Sequence, residues 1–476
     1  MKYLCILLTG FSAWAAPLKP PIAINVDAVP ISLNPATVTD TIGAWVLFHV
    51  ADRLLETQRS GLVTGNLAES WKISNQGKTL VFHLRSGVRF SDGTELNASH
   101  VVDVLHSLKK NISKGYLSFY TSNLKAAKVL APLDVQIELE RPIPGFLNIL
   151  GEAAFSISKP CGTSLCFTGR FQVKRSAPSE LELVRASDGQ AFVLKQLAFQ
   201  DAEKEFQQGR LQILRSYSLP QVARVNRAAK HLFVMKDERS YFVALNTQRA
   251  EMAESSKRKR VAETLASHGV TTRKILEDWE KGSASASLLS PSFSMGRASL
   301  TEGAAKAADL TPSQAVTKPL KIVTLKEQEL APLAGVLFEG LPYSLRYLSK
   351  PEFIDHIKSG DYDAIFFGYG TTVRDLDAVS ILFHSKSMHN FARVRNAEID
   401  GMLEAAWSEE SAAKKMELIS GIVGLNAQQN WYLPVAHSSL VFAISEKLQL
   451  ESGRGTADHI LTSSNLDLAS VSWRAP

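Results

Sequence analysis

Cys161 and Cys166 bracket the run CGTSLC, with four residues between them. In an oxidising compartment such a pair closes a small disulfide loop. A metal site there needs further ligands, and neither a histidine nor a third cysteine stands near. His384 and His389, in FHSKSMHN, are five apart, a spacing that does not put both on one helix face, so a zinc pair has little support. Serine, histidine and aspartate all occur, but there is no G-x-S-x-G elbow and no H-E-x-x-H helix. The residues therefore nominate no catalytic group, no metal ligand and no cofactor, and nothing in them favours an enzyme.

The N-terminus supplies the compartment. Lys2 precedes an apolar run from Tyr3 through Leu8, and Ala13-Trp14-Ala15 follows as an A-x-A site. This is the pattern of a secretory signal peptide cleaved after Ala15. Cys5 leaves with it, no cysteine marks a lipid anchor, and no later stretch has the roughly 18 apolar residues of a membrane span. The mature chain of about 460 residues exceeds one ordinary domain, so two or three lobes are expected. Its composition, 45% hydrophobic and 21% charged, is that of a globular protein. Loss of Lys2 leaves 52 basic against 47 acidic residues, a net charge of +5. The one dense basic cluster, Lys257-Arg258-Lys259-Arg260, opens a helical segment continuing as VAETLASHGV. An exported protein rarely meets nucleic acid, so this run reads as a solvated helix face or a surface for anionic lipid or a partner.

The elements that must position any site are most legible between Asn66 and Leu105. Leu80, Phe82 and Leu84 alternate with Thr79, Val81, His83 and Arg85, a strand with one face on a core. Turn clusters flank it at Ser74–Lys78 and Ser91-Asp92-Gly93, and Asn97 can cap a helix with Val101, Val102, Leu105 and Leu108 on its apolar side. In this order (W-x-I-S, turn, F-x-L-R, G-V-x-F-S-D-G-T, capped helix) the stretch resembles the signature of the family 5 extracellular solute-binding proteins, the peptide- and nickel-binding receptors of ABC importers.

The resemblance continues along the chain. Ile22–Val26 is a strand followed by Leu33-Asn34-Pro35, where Asn34 replaces the usual acid. Gly169–Val173 resembles a G-x-Y/F-x-V strand. Phe206–Ile213 resembles an S-G-E-V-D-I element with its acids lost. Tyr241–Asn246 and Arg258–Leu265 resemble the Y-x-x-x-N strand and the helix after it, and Ser283–Pro291 a loop of the cleft wall. Leu320–Leu325 reads as a strand, followed by an apolar helix near Leu330–Leu341. Gly360–Gly370 resembles the G-x-Y-D-x-x-x-x-G-W strand, Ala397–Asp400 the helix after it, and Leu433-Pro434-Val435 a returning strand.

This resemblance implies an α/β protein with the two-lobed periplasmic-binding-protein fold (type II, cluster C-like) and an extra subdomain inserted in lobe I. It places lobe I at 16–45, 158–238 and 436–476, the inserted subdomain at 46–157, and lobe II at 239–435, with a mobile segment at about 297–318. It implies ligand capture between hinged lobes that close by population shift. The ligand is then a short peptide or peptide-like solute, the partner an inner-membrane ABC permease, and the protein a periplasmic monomer that binds no nucleic acid. Family peptide receptors hold the ligand's α-amino group with an Asp in G-W-x-x-D-Y-x-D-P-D. Here the segment reads Gly368-Tyr369-Gly370-Thr371-Thr372-Val373-Arg374-Asp375-Leu376-Asp377, so Thr372 stands in the Asp place. A hydroxyl can bond an ammonium but cannot neutralise it, which puts free-amino peptides in doubt. Tyr369, Gly370, Thr372, Arg374 and Asp375, with Thr39 and Asp40 after the LNP turn, are the candidate ligand-binding residues. Tyr369 is either a stacking aromatic or a core one, Arg374 could attract an anion, and Asp40 is either a ligand carboxylate or a helix N-cap. The same departures leave open a sensor or interaction protein that no longer transports, or a receptor for a metal chelate, haem or a small anion.

Overall fold

The structure is a computed structural model. It describes residues 19–30, 32–38, 40–57, 63–110, 121–143, 146–216, 222, 225, 229–268, 316, 318–326, 331–369, 375–409, 411–450 and 466–474. The leader, the Ser283–Pro291 loop and most of the 297–318 segment lie outside these residues.

The strands that organise the molecule are, in chain order, β1 (Ile22–Val26), β2 (Ala68–Ser74), β3 (Thr79–Leu84), β4 (Leu124–Ala131), β5 (Asp134–Leu139), β6 (Phe171–Ala177), β7 (Glu180–Arg185), β8 (Ala191–Gln196), β9 (Ile213–Ser216), β10 (Ala229–Leu245), β11 (Leu320–Leu325), β12 (Tyr343–Leu348), β13 (Ala364–Tyr369) and β14 (Tyr432–Ser445). The main helices are α1 (Thr41–Val50), α2 (Ala98–Lys110), α3 (Phe199–Gln207), α4 (Ser255–Ser267), α5 (Lys350–Ser359), α6 (Asp375–Phe383), α7 (Ala397–Ser408) and α8 (Ala412–Gln429). Mixed in type, these elements make the α/β, two-lobed architecture that the resemblance implied.

Ten strands form one sheet in the order β6-β7-β8-β1-β9-β14-β10-β13-β11-β12. Its two halves meet at β10 and β14, which pair antiparallel from Ala229–Ser445 to Ala244–Tyr432. One end of β14 lies against β9, while Ser240–Leu245 of β10 lie against β13. Two long strands thus cross from one half to the other, and their register shifts between Met235 and Arg239. Within each half the strands near the crossing run parallel: β1 with β8 and β9, and β11 with β12 and β13. Parallel strands are covered on both faces and so carry continuous apolar runs. Ile22 to Val26 of β1 and Ala364, Ile365 and Phe366 of β13 are accordingly buried throughout.

Strands β2, β3, β5 and β4 form a separate four-stranded antiparallel sheet. Leu80, Phe82 and Leu84 all point into its core while His83 is exposed, as the period-two pattern requires. The Asn97 side chain accepts the Ser99 amide at 3.0 Å at the start of α2. Val101, Val102, Leu105 and Leu108 are buried. The Cys161–Cys166 disulfide is formed, across a hairpin of residues 158–161 and 164–167. The helix foreseen near Leu330–Leu341 is reduced to Leu333–Leu337. It starts after Pro332, and Gly340, at φ +85°, turns the chain away just beyond it.

Nine of the ten residues of α1 are buried. The helix is tied to the C-terminal segment by Trp45, whose Nε1 donates to the Leu466 carbonyl at 2.8 Å. His49 Nε2 lies 2.9 Å from the Leu468 amide and 3.3 Å from Asp467 Oδ1. Burial pushes the Asp467 carboxyl up, but His49 and Arg170 outweigh it and hold the group at about 2. A depressed carboxylate adds stability above its unfolded value near 4 and loses it as pH falls through the folded value. Urea titrations at pH 7, 4 and 2 should therefore find Asp467→Asn less stable than the wild type by about 2 kcal/mol at pH 7 and level with it at pH 2. A gap that persists at pH 2 would show that the carboxylate's charge is not what holds this segment.

Candidate functional site

Ligands of open α/β sheets sit beyond the carboxyl ends of the parallel strands. Here those ends carry Asp27 after β1, Arg215 near the end of β9, Lys350 just after β12 and Tyr369 closing β13. Arg239 joins them from β10, at the shift in register.

Asp27 lies 3.0 Å from Arg215 Nη1 and 3.9 Å from Arg239 Nη2. Burial raises the Asp27 carboxyl, but Arg215, Arg239 and Lys350 together bring it below its ordinary value. Arg215 is wholly buried, and its backbone is clamped by Asn25: the Arg215 amide donates to Asn25 Oδ1 at 2.6 Å, and Asn25 Nδ2 to the Arg215 carbonyl at 2.8 Å. Lys350 is delivered from the other half by a capping box. Ser349 and Glu352 satisfy the first turn of α5, and Gly360 closes the helix in the left-handed region at φ +73°. Lys350 Nζ then reaches 3.3 Å from Asp40 Oδ1.

Asp40 occupies the N-cap of α1, its Oδ1 accepting the Gly43 amide at 2.8 Å. The side chain is 9% exposed. One carboxylate thus caps a helix of one half and takes a cation from the other. Tyr369 is half-buried among Phe367, His389 and Phe391. Its hydroxyl lies 3.1 Å from His389 Nδ1. Burial drives His389 down to about 4, so the ring is neutral at neutral pH. The Tyr369 phenol is pushed well above its usual value, chiefly by burial and then by Glu152. The pair is an uncharged hydrogen-bonded unit inside an aromatic cluster.

Of the candidate ligand-binding residues, Tyr369 and Asp40 fall within the described structure. Thr39, Gly370, Thr372 and Arg374 lie outside it, and Asp375 is described only as the backbone start of α6. Asp27, Arg215, Arg239, Lys350 and His389 were not nominated as ligand residues from sequence. A charged residue inside the apolar run Ile213–Ser216 was the available signal for Arg215. Nothing local marks Lys350 as the mate of a residue some 300 positions earlier.

Among the described residues the one grouping of potential metal ligands is Asp92 with Cys161 and Cys166. Its sulfurs are joined in the disulfide, and Asp92 is engaged by Lys159 at 2.6 Å. The basic run at 257–260 is also more than a solvated face. Lys259 and Arg260 are exposed, but Arg258 is 3% exposed. It faces inward because the helix turns one residue in four toward the interior, where the Gln429 carbonyl at the end of α8 and the Met252 and Ala253 carbonyls before α4 receive it.

Residues 63–270 match the family model described as bacterial extracellular solute-binding proteins, family 5 Middle. The glutathione-binding protein GsiB of Salmonella typhi is 29% identical over 156 residues, 32% of this chain and 30% of that protein. The match thus spans less than a third of that relative's length. At the level of fold the similarity is nearly complete. The structure of MoaA in complex with mannopinic acid, from A. tumefacien R10, superposes with a TM-score of 0.80 at 16% identity, covering 96% of this chain and 99% of that one. AppA of Bacillus subtilis in complex with a nonapeptide gives a TM-score of 0.79 at 16% identity, with 96% and 99% covered. NikA of Brucella suis in complex with Fe(III)-EDTA gives 0.77 at 16% identity, with 96% and 100% covered. With the family model on its middle region, and two halves joined by crossing strands around the charged groups described above, this chain is similar in sequence over residues 63–270 to the family 5 bacterial extracellular solute-binding proteins and shares the fold of the solved structures named here.

Proposed function

We propose that the protein is the solute-binding component of an ABC importer. It captures a short peptide or peptide-like solute between its two halves and hands it to a membrane permease on the periplasmic side. The chain then acts by binding alone, as a monomer, with no catalytic step. The observation that carries this reading is the pair β10 and β14. Both halves share these strands, so bending there opens and closes the gap between Asp27 and Asp40 on one half and Lys350 and Tyr369 on the other. Such closure is driven by a ligand that contacts both halves at once. No helix among the described residues is long and apolar enough to cross a membrane.

One observation favours a solute without a free ammonium group. Asp40 already takes Lys350, and Thr372 stands where relatives place an acid, so an incoming amine would have to displace a protein cation. Native mass spectrometry of the mature protein, purified without refolding and then mildly denatured, tests both readings. A released ladder of short peptides supports peptide capture. A single non-peptide mass supports a specialised receptor. An empty protein that shows no thermal shift across a peptide and metal-chelate panel would sink the transport reading. For the released solute, calorimetric titration should find that Tyr369→Ala binds about tenfold more weakly, as expected for an aromatic anchor. Unchanged affinity would make Tyr369 a core residue only.

A further inference from the structure

Arg141 follows β5 of the four-stranded sheet, while Glu404 lies on α7 of the half that ends in β12. The two meet fork to fork: Arg141 Nη1 is 2.8 Å from Glu404 Oε2, and Nη2 is 2.8 Å from Oε1. The backbone of Arg141 is pinned by Asn123, whose Nδ2 donates to the Arg141 carbonyl at 2.8 Å and whose Oδ1 accepts the Arg141 amide at 3.2 Å. Its guanidinium also lies over the Trp407 ring, 5.7 Å from the centroid. Asp40 and Lys350 make a second tie between the halves at 3.3 Å. Every partner in both ties is a protein group, so the attraction exists before any solute arrives.

We propose that Arg141–Glu404, with Asp40–Lys350, is an ionic latch that biases the two halves toward the closed arrangement independently of solute. An isolated exposed ion pair contributes little, but a bidentate guanidinium–carboxylate pair with a pinned backbone and an aromatic neighbour is the favourable case. A ligand gains affinity when the state that binds it is already populated. The latch therefore sets how much of the protein waits closed, and salt weakens it by screening the partly exposed Arg141–Glu404 pair.

The test uses the mature protein with spin labels at Lys72→Cys and Lys414→Cys, both exposed positions, and reads the distance distribution by pulsed EPR without added solute. The wild type should show a dominant short-distance population. Glu404→Gln should move the closed-to-open ratio about fivefold toward the longer distance, and the exchange Arg141→Glu with Glu404→Arg should restore it. Raising sodium chloride from 0.05 to about 1 M should open the wild type similarly and change Glu404→Gln much less. That salt arm needs no latch substitution, so a poorly folding variant does not protect the proposal. A wild-type distribution indifferent to salt, or one unmoved by Glu404→Gln, overturns it.

Discussion

Arg258→Ala is expected to be among the most damaging single substitutions in the molecule, costing about 3 kcal/mol of unfolding free energy. The guanidinium uses its whole fork. Nε donates to the Gln429 carbonyl at 2.7 Å, Nη1 to the Met252 and Ala253 carbonyls at 2.8 Å, and Nη2 to Gln429 Oε1 at 3.1 Å. The two bonds to Gln429 join α4 to the C-terminal end of α8, and the two to Met252 and Ala253 tie α4 to the segment before it. Burial works against the charge, so the stabilisation comes from these charge-assisted bonds rather than from solvation. Alanine leaves several carbonyls without donors and opens a cavity. Lysine, with one nitrogen, cannot reach Gln429 and the two carbonyls together and should recover less than half of the loss. Urea denaturation of the three proteins decides the matter. A loss below about 1 kcal/mol in Arg258→Ala would return the basic run to the role of a solvated face.

Gly169→Ala should cost a similar amount, about 3 kcal/mol, for a steric reason. A Cβ at Gly169 would sit 2.4 Å from the Val50 carbonyl carbon and 2.6 Å from both the Ala51 nitrogen and the His49 oxygen. All three are backbone atoms, so no side chain can swing aside. The Gly169 amide also donates to the Val50 carbonyl at 2.9 Å, so relief would mean breaking that bond and lifting the chain off the end of α1. Gly189 is the control. Its φ of +70° disfavours a side chain, yet nothing lies within 4 Å of its Cβ position. Gly189→Ala should lose only about 1 kcal/mol. Equal losses at the two sites, read from thermal melts, would mean that close approach is not what makes Gly169 necessary.

Much of the local structure was legible beforehand because its causes are local. The alternation at Leu80, Phe82 and Leu84 needs only the two-residue period of a strand, and the start of α2 needs only Asn97 and the apolar spacing behind it. Cys161 and Cys166 are close enough in sequence for a hairpin to bring them together. The strand that became β13 was visible only through the resemblance of Gly360–Gly370 to the G-x-Y-D-x-x-x-x-G-W pattern.

The neighbourhood of the site was decided only by the tertiary structure. Asp40 could be seen as a helix cap but not as the mate of Lys350, because that pairing depends on how two halves meet across strands contributed from residues 229–245 and 432–445. The inward turn of Arg258 depends on the position of α8, 171 residues later in the chain. Side-chain type, period and turn chemistry are properties of a few adjacent residues, and the sequence by itself determined them here. Which carboxylate meets which cation is a property of distance in space, and folding alone brings residues 27, 40, 215, 239 and 350 into range of one another.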